Sequence, residues 1–131
     1  MFGRTTGVTL FALAALAGAG RAQQKPEPLP AGVTPQLIKE GQGVFQGAGL
    51  CTACHGQDAK GIPNLGANLT DTEWLHSKGT YDDIVKQIMT GVTADKSTSG
   101  TVMPPKGGSS ITDAQVKAVA AYVWSLSHKT K

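Results

Sequence analysis

Between its helical segments this chain carries two long stretches with no apolar period, Thr52 to Lys78 and Thr93 to Ser110. Gly, Pro, Asn, Asp and Thr dominate the first from Gly56 to Thr72, and the second holds Pro104, Pro105, Gly107 and Gly108. Loops of this length are uncommon in a compact domain unless something orders them. The helices around them are short. Thr34-Pro35 marks a start, with Thr as N-cap and Pro at the first helical position. Leu37, Ile38, Gly41 and Phe45 follow, and Gly47 and Gly49 end a helix of about three turns. A single helical turn is expected after Cys51. Thr80 to Thr90 reads as a second helix: Thr80 caps it, and Asp82 and Asp83 sit in the first turn, where the helix dipole favours negative charge. Ile84, Val85, Ile88 and Met89 form its apolar face, and Gly91 stops it. The last helix runs from Thr112 to about Ser127. Thr112 with Gln115 matches a capping box, and Val116, Val119, Ala120 and Val123 share a face, with Tyr122 and Leu126 beside it. No alternating strand pattern is present. An all-α domain of three to four short helices and long loops is expected, and on its own its core is too thin. A bound cofactor would supply the missing apolar mass.

Size and charge narrow the classes further. At 131 residues there is room for one domain, not two. Two cysteines cannot build a disulfide scaffold, and 40% apolar residues with a small net charge argue against disorder. The first segment has the three parts of a secretory signal: basic Arg4, an apolar run from Val8 to Ala19, then Gly20 and Ala22 at the minus-three and minus-one positions of a cut. The apolar run is short for a membrane span. Residues 1–22 are therefore expected to be a signal, with a mature start near Gln23; a retained N-terminal anchor is the alternative. Residues 23–33 form a Pro-rich tether, with three prolines between Lys25 and Pro30. After Gln23 the chain has ten Lys, no Arg and nine Asp plus Glu, a net charge of +1. Without clustered Arg, nucleic acid is not an expected partner.

Cys51-Thr52-Ala53-Cys54-His55 is the C-x-x-C-H pattern of c-type haem attachment. Each thiol adds to one porphyrin vinyl group, and the histidine that follows is placed to become the proximal iron ligand. Three other readings compete. A structural disulfide is one. A thioredoxin-like dithiol expects a βαβ pattern that is missing, and a zinc site expects a second ligand pair that is also missing. For the sixth iron position the candidates are Met89, Met103, His76 and His128. Met89 belongs to an apolar helix face and His128 lies near the terminus. Met103 is stiffened by Pro104-Pro105, so it is the expected ligand, with His76 as runner-up.

With these residues the chain resembles a class I c-type cytochrome over residues 34 to 128. Cys51 to Gly56 carries the attachment motif, Pro63-Asn64-Leu65 resembles the family's Pro-Asn-Leu, Met103-Pro104-Pro105 its methionine loop, and Ala121-Tyr122-Val123-Trp124 part of its C-terminal helix. The resemblance implies a small cytochrome c fold over 34–131, with long loops wrapped around one covalent haem c held by Cys51 and Cys54. It implies His55 and Met103 as axial ligands. It also implies that the Pro63 carbonyl accepts the hydrogen bond of the proximal imidazole, orienting His55. Gly41 is expected to face Tyr122 where the first and last helices cross, with Phe45 one turn on.

Asn68-Leu69-Thr70-Asp71, Trp74 and the run Ala120 to Ser127 are similar to the haem-c domains of the dihaem subunit of high-affinity haem-copper oxidases. The chain departs from that subunit in having one haem motif, no clear spanning helix and a longer spacer from Thr93 to Thr101. A free periplasmic electron carrier, monomeric and not itself an enzyme, is therefore expected. The alternatives are a cytochrome c subunit bound to a periplasmic dehydrogenase or terminal oxidase, a haem sensor or weak peroxidase with an open sixth site, and a haem-free dithiol oxidoreductase. Redox proteins are the expected partners, with a membrane involved only if the N-terminal segment is kept. Trp74 is a candidate propionate contact through its indole N–H, with a plain core role as the other reading. Lys60, Lys78 and Lys106 are either a ring that steers an acidic partner or a solvated surface.

Overall fold

A computed structural model describes Met1 and residues 27–128. Apart from Met1, the expected signal at 1–22 lies outside the described residues, as do residues 23–26 of the expected tether. Four helices follow in order: α1 (Pro35–Gln46), α2 (Thr52–His55), α3 (Tyr81–Thr90) and α4 (Asp113–Ser127). Among the described residues there is no strand, only two isolated antiparallel bridges, Ile62 with Gly66 and Val92 with Met103. The strandless, helical expectation holds.

Capping chemistry sets the helix starts. The Thr34 hydroxyl accepts from the Leu37 amide at 3.1 Å, with Pro35 opening α1. The Thr80 hydroxyl accepts from the Asp83 amide at 3.2 Å. At α4 both halves of the capping box form: the Gln115 amide donates to the Thr112 hydroxyl at 3.2 Å, and the Thr112 amide donates to Gln115 Oε1 at 2.9 Å. Ahead of α1, the Val33 amide closes a turn onto the Pro30 carbonyl at 3.0 Å, and Val33 is buried.

α4 is the central element, packed against both α1 and α3. The stripe seen in the sequence is too narrow for this role, because Ala118, Ala121 and Trp124 are buried along with Val116, Val119, Ala120 and Val123. Small residues allow the close approach of α1. A Cβ placed on Gly41 would collide with the Ala118 carbonyl and lie 3.0 Å from the Tyr122 Cβ. One turn on, Phe45 meets Tyr122 edge to face, with ring centroids 5.4 Å apart. The expected crossing of the first and last helices is thus present, and the backbone of Ala118 is its tightest point.

The buried cluster consists of Phe45, Ala59, Ile84, Ile88, Ile111, Val116, Val119, Ala120, Val123 and Trp124. Among the described residues, Phe45, Val116 and Val119 are the large side chains fully removed from solvent. No described helix is long and apolar enough to cross a membrane.

Candidate functional site

α2 is a single turn, and Cys51, just before it, already has helical angles (φ −64°, ψ −35°). The amides of Cys54 and His55 both donate to the Cys51 carbonyl, at 3.2 and 2.9 Å. Positions i, i+3 and i+4 of a helical turn share a face. Cys51, Cys54 and His55 accordingly line one cavity of about 620 Å³. Phe45 of α1, Ile84 and Ile88 of α3, and Val119 and Val123 of α4 build its apolar walls. The volume falls within the range of sites that enclose a small molecule, roughly 300–1,000 Å³. The long loops close around this cavity, which is where the thin core leaves room.

Both thiols are free. Burial pushes Cys51 up to about 11, so its thiol is neutral at neutral pH. A dithiol oxidoreductase needs the opposite, a depressed thiolate. Cys51 Sγ donates instead to the Gly49 carbonyl at 3.4 Å.

His55 Nδ1 donates to the carbonyl of Ala67 at 2.8 Å. This fixes the tautomer and leaves Nε2 with its lone pair free for a metal. Burial lowers the His55 pKa, and the Ala67 bond offsets this only in part, so the imidazole is held neutral. The acceptor is Ala67, not Pro63, which corrects the expectation drawn from the Pro-Asn-Leu resemblance. The reason is a tight turn: the amides of Leu65 and Gly66 both donate to the Ile62 carbonyl at 3.0 Å, and Asn64 has φ 61°. Pro63 is carried to the exposed tip. The chain then returns beneath α2, where Gly66 lies so close that a Cβ would collide with the Cys54 carbonyl. The Leu69 amide pins this return to the Ala59 carbonyl at 2.8 Å. Asn-Leu occurs twice, at 64–65 and at 68–69, and the residue before the second pair is Ala67. That duplication was the available signal.

Met103 and His76 both line the cavity; Met89 and His128 do not. Met89 packs against the core, and His128 stacks on Trp124 at 4.2 Å while its Nδ1 lies 2.8 Å from the Trp124 carbonyl. Met103 is half-buried and its backbone is clamped: the Val92 amide donates to its carbonyl at 2.8 Å, and its own amide donates to that of Val92 at 2.9 Å. After it, Pro104 and Pro105 lead into a tight turn over Pro105–Gly108, where Lys106 takes φ 55°. Lys106 Nζ reaches Asp113 at 2.8 Å and holds that carboxyl below its usual range. Lys60 also borders the cavity and lies 3.7 Å from Asp58; Lys78 is exposed and is not on the wall. Two of the three lysines therefore already face a carboxylate.

Trp74 lines the cavity, half-buried, with its indole over Gly79, where a Cβ would collide with Nε1. Sequence reasoning passed over Gln87. It lies on the cavity face of α3 with Ile84 and Ile88, at the i, i+3, i+4 spacing that could have drawn notice. Its Oε1 is buried with no hydrogen-bond partner. An unpartnered buried polar group costs about 1–3 kcal/mol, so this one calls for a partner from outside the polypeptide fold.

Two thiols and an imidazole on one wall, a largely apolar interior from α1, α3 and α4, and an orphaned amide oxygen fit a haem. The strandless fold and this C-x-x-C-H cavity define a c-type cytochrome, a domain that transfers electrons through a covalently bound haem c. Residues 36–123 match the family described as cytochrome c oxidase, cbb3-type, subunit III, and the chain belongs to this family. It is 41% identical over 93 residues to the cbb3-type cytochrome c oxidase subunit CcoP of Rubrivivax gelatinosus, covering 71% of this chain and 27% of that one. It is 38% identical over 96 residues to the subunit FixP of Sinorhizobium medicae, covering 70% and 28%. The chain thus spans about a quarter of the length of these relatives. Among solved structures it is similar in fold to cytochrome cL of the marine methylotroph Methylophaga aminisulfidivorans, with a TM-score of 0.54, 24% identity, and 71% and 55% of the two chains covered.

Proposed function

We propose that the chain is a periplasmic one-electron carrier with a single haem c, ligated by His55 and Met103. The haem iron supplies the one-electron Fe(III)/Fe(II) couple. Cys51 and Cys54 would hold the group by thioether bonds, and the Ala67 carbonyl holds the His55 ring with Nε2 free to bind the metal. The Val92 bridge and Pro104-Pro105 hold the backbone of Met103 at the cavity wall. A haem held by both His55 and Met103 would leave no iron position open to oxygen, and the thioether would raise its potential relative to two nitrogen ligands. Ile84, Ile88, Val119 and Val123 exclude water, so little solvent reorganises when the charge changes. The observation that carries the reading is that Cys51, Cys54, His55 and Met103 all line one apolar cavity. In this reading residues 1–22 direct export, residues 23–33 tether the domain at 34–131, and N-terminal sequencing of the exported protein returns a start near Gln23.

A potentiometric titration followed by absorption tests the carrier function. One reversible wave for a single electron, with no peroxide turnover, is expected. A wave of two electrons or steady peroxide consumption would overturn it. The 41% identity to a cbb3-type oxidase subunit favours a second reading, that the carrier works bound to an oxidase complex. Co-purification with a haem-copper oxidase from native membranes would select this reading, and recovery as a free monomer would select the first.

A further inference from the structure

We propose that Thr101 is a positioning residue: its hydroxyl latches the methionine loop to the 62–66 turn and so slows the departure of Met103 from the iron. The inference rests on the His55/Met103 reading. Two segments that supply no iron ligand meet here, the spacer Thr93 to Thr101 and the Pro63-Asn64-Leu65 turn. Thr101 Oγ1 donates to the Asn64 carbonyl at 3.1 Å, across 37 residues of sequence. Asn64, Thr101 and Met103 all line the cavity. Among the described residues no backbone hydrogen bond joins the two loops, so this side-chain bond is their link.

Local chemistry prepares both partners. Asn64 takes φ 61°, a left-handed conformation that asparagine adopts more readily than most residues. In the spacer, hydroxyls order the backbone: the Ser99 amide donates to Ser97 Oγ and the Thr101 amide to Ser99 Oγ, each at 3.3 Å. The Gly100 amide adds a bond to the Ser97 carbonyl at 3.2 Å. The paired bonds of Val92 and Met103 close the base of this loop. A loop held at its base alone can pivot there. A second attachment at Thr101, two residues before Met103, opposes the pivot. The turn that receives it leads directly to Ala67, whose carbonyl holds His55. The latch therefore ties together the segments that carry the two ligands.

The test is ligand exchange in the ferric holoprotein at saturating imidazole. The iron–sulfur bond breaks, imidazole nitrogen takes its place, and the long-wavelength band of thioether-ligated ferric haem disappears. Thr101→Val keeps the side-chain shape and removes the donor. Its exchange is expected to be about two- to tenfold faster, the worth of one ordinary hydrogen bond. Thr101→Ser keeps the donor and should exchange at the unsubstituted rate. An unchanged rate in Thr101→Val, with the band intact before mixing, overturns the latch and leaves the ligand assignment standing. A Thr101→Ser variant as fast as Thr101→Val also overturns it. Absence of the band from the unsubstituted protein overturns the ligand assignment and the inference with it. Should Thr101→Val fail to fold, proton NMR of the reduced unsubstituted protein decides. Cross-peaks between the Thr101 side chain and Asn64 or Leu65 are expected, and their absence from a fully assigned spectrum overturns the latch.

Discussion

At the scale of single residues, Ala67, which accepts the His55 hydrogen bond, and Met103, the proposed second ligand, are legible in the sequence to different degrees. Met103 stands out because a thioether is chemically distinctive and two prolines follow it. Ala67 does not, because it acts through its carbonyl, which nearly every residue offers equally. Only the fold of the 62–66 turn decides which carbonyl comes under His55. Pro63 borders the cavity from its exposed rim but does not accept the His55 hydrogen bond, so Pro63→Ala is expected to leave the His55 orientation, and with it the low-spin haem spectrum, in place. A displaced Soret band in that variant would restore Pro63 as the orienting residue. Met103→Ala is expected to open the sixth position. Carbon monoxide should then bind the ferrous form and the potential should fall, as expected on losing a thioether ligand. If His76 were the ligand instead, Met103→Ala would stay unreactive and His76→Ala would become reactive.

At the level of helices, starts and stops are legible in the sequence, because caps and stops are local chemistry. Thr34, Thr80 and Thr112 each sit one residue ahead of an observed helix and accept the expected amide. What stayed hidden was how much of α4 is buried. Periodicity reports a stripe, whereas α1 and α3 both pack on α4, and Ala118 and Ala121 are buried as well. Two glycines of α1 separate propensity from packing. At Gly43 an added Cβ meets nothing within 4 Å, so Gly43→Ala should gain up to about 1 kcal/mol from helix propensity. At Gly41 the same gain is outweighed by collision with the Ala118 carbonyl, where overpacking typically costs about 1–3 kcal/mol. Thermal melts of the holoprotein should therefore move in opposite directions, by several degrees each given about 4–8 °C per kcal/mol for a domain of this size. A rise in both would show that α1 and α4 do not cross at Gly41. Thr112→Ala, which removes the capping-box acceptor at α4, should cost about 1 kcal/mol in the same assay.

For the molecule as a whole, the decisive property is the missing core. Four helices bury few large side chains and enclose a cavity of about 620 Å³, so the cofactor is a structural member as well as the redox group. The sequence showed this as long loops without periodicity, and it could not show the cavity's walls, which come from residues far apart in the chain such as Phe45, Ile84 and Val123. Circular dichroism of the Cys51→Ser/Cys54→Ser double variant, expressed without haem attachment, should show most of the helical signal lost. A native-like cooperative melt would mean that the polypeptide folds without the haem. The most direct measurement for the central claim is the absorption spectrum of the exported protein, oxidised and reduced, extended to the near-infrared. Sharp reduced α and β bands together with a weak long-wavelength ferric band are expected for low-spin iron between His55 and Met103. A high-spin spectrum that shifts with carbon monoxide would contradict the assignment of Met103, and a spectrum with no Soret band would contradict the haem reading of Cys51, Cys54 and His55 itself.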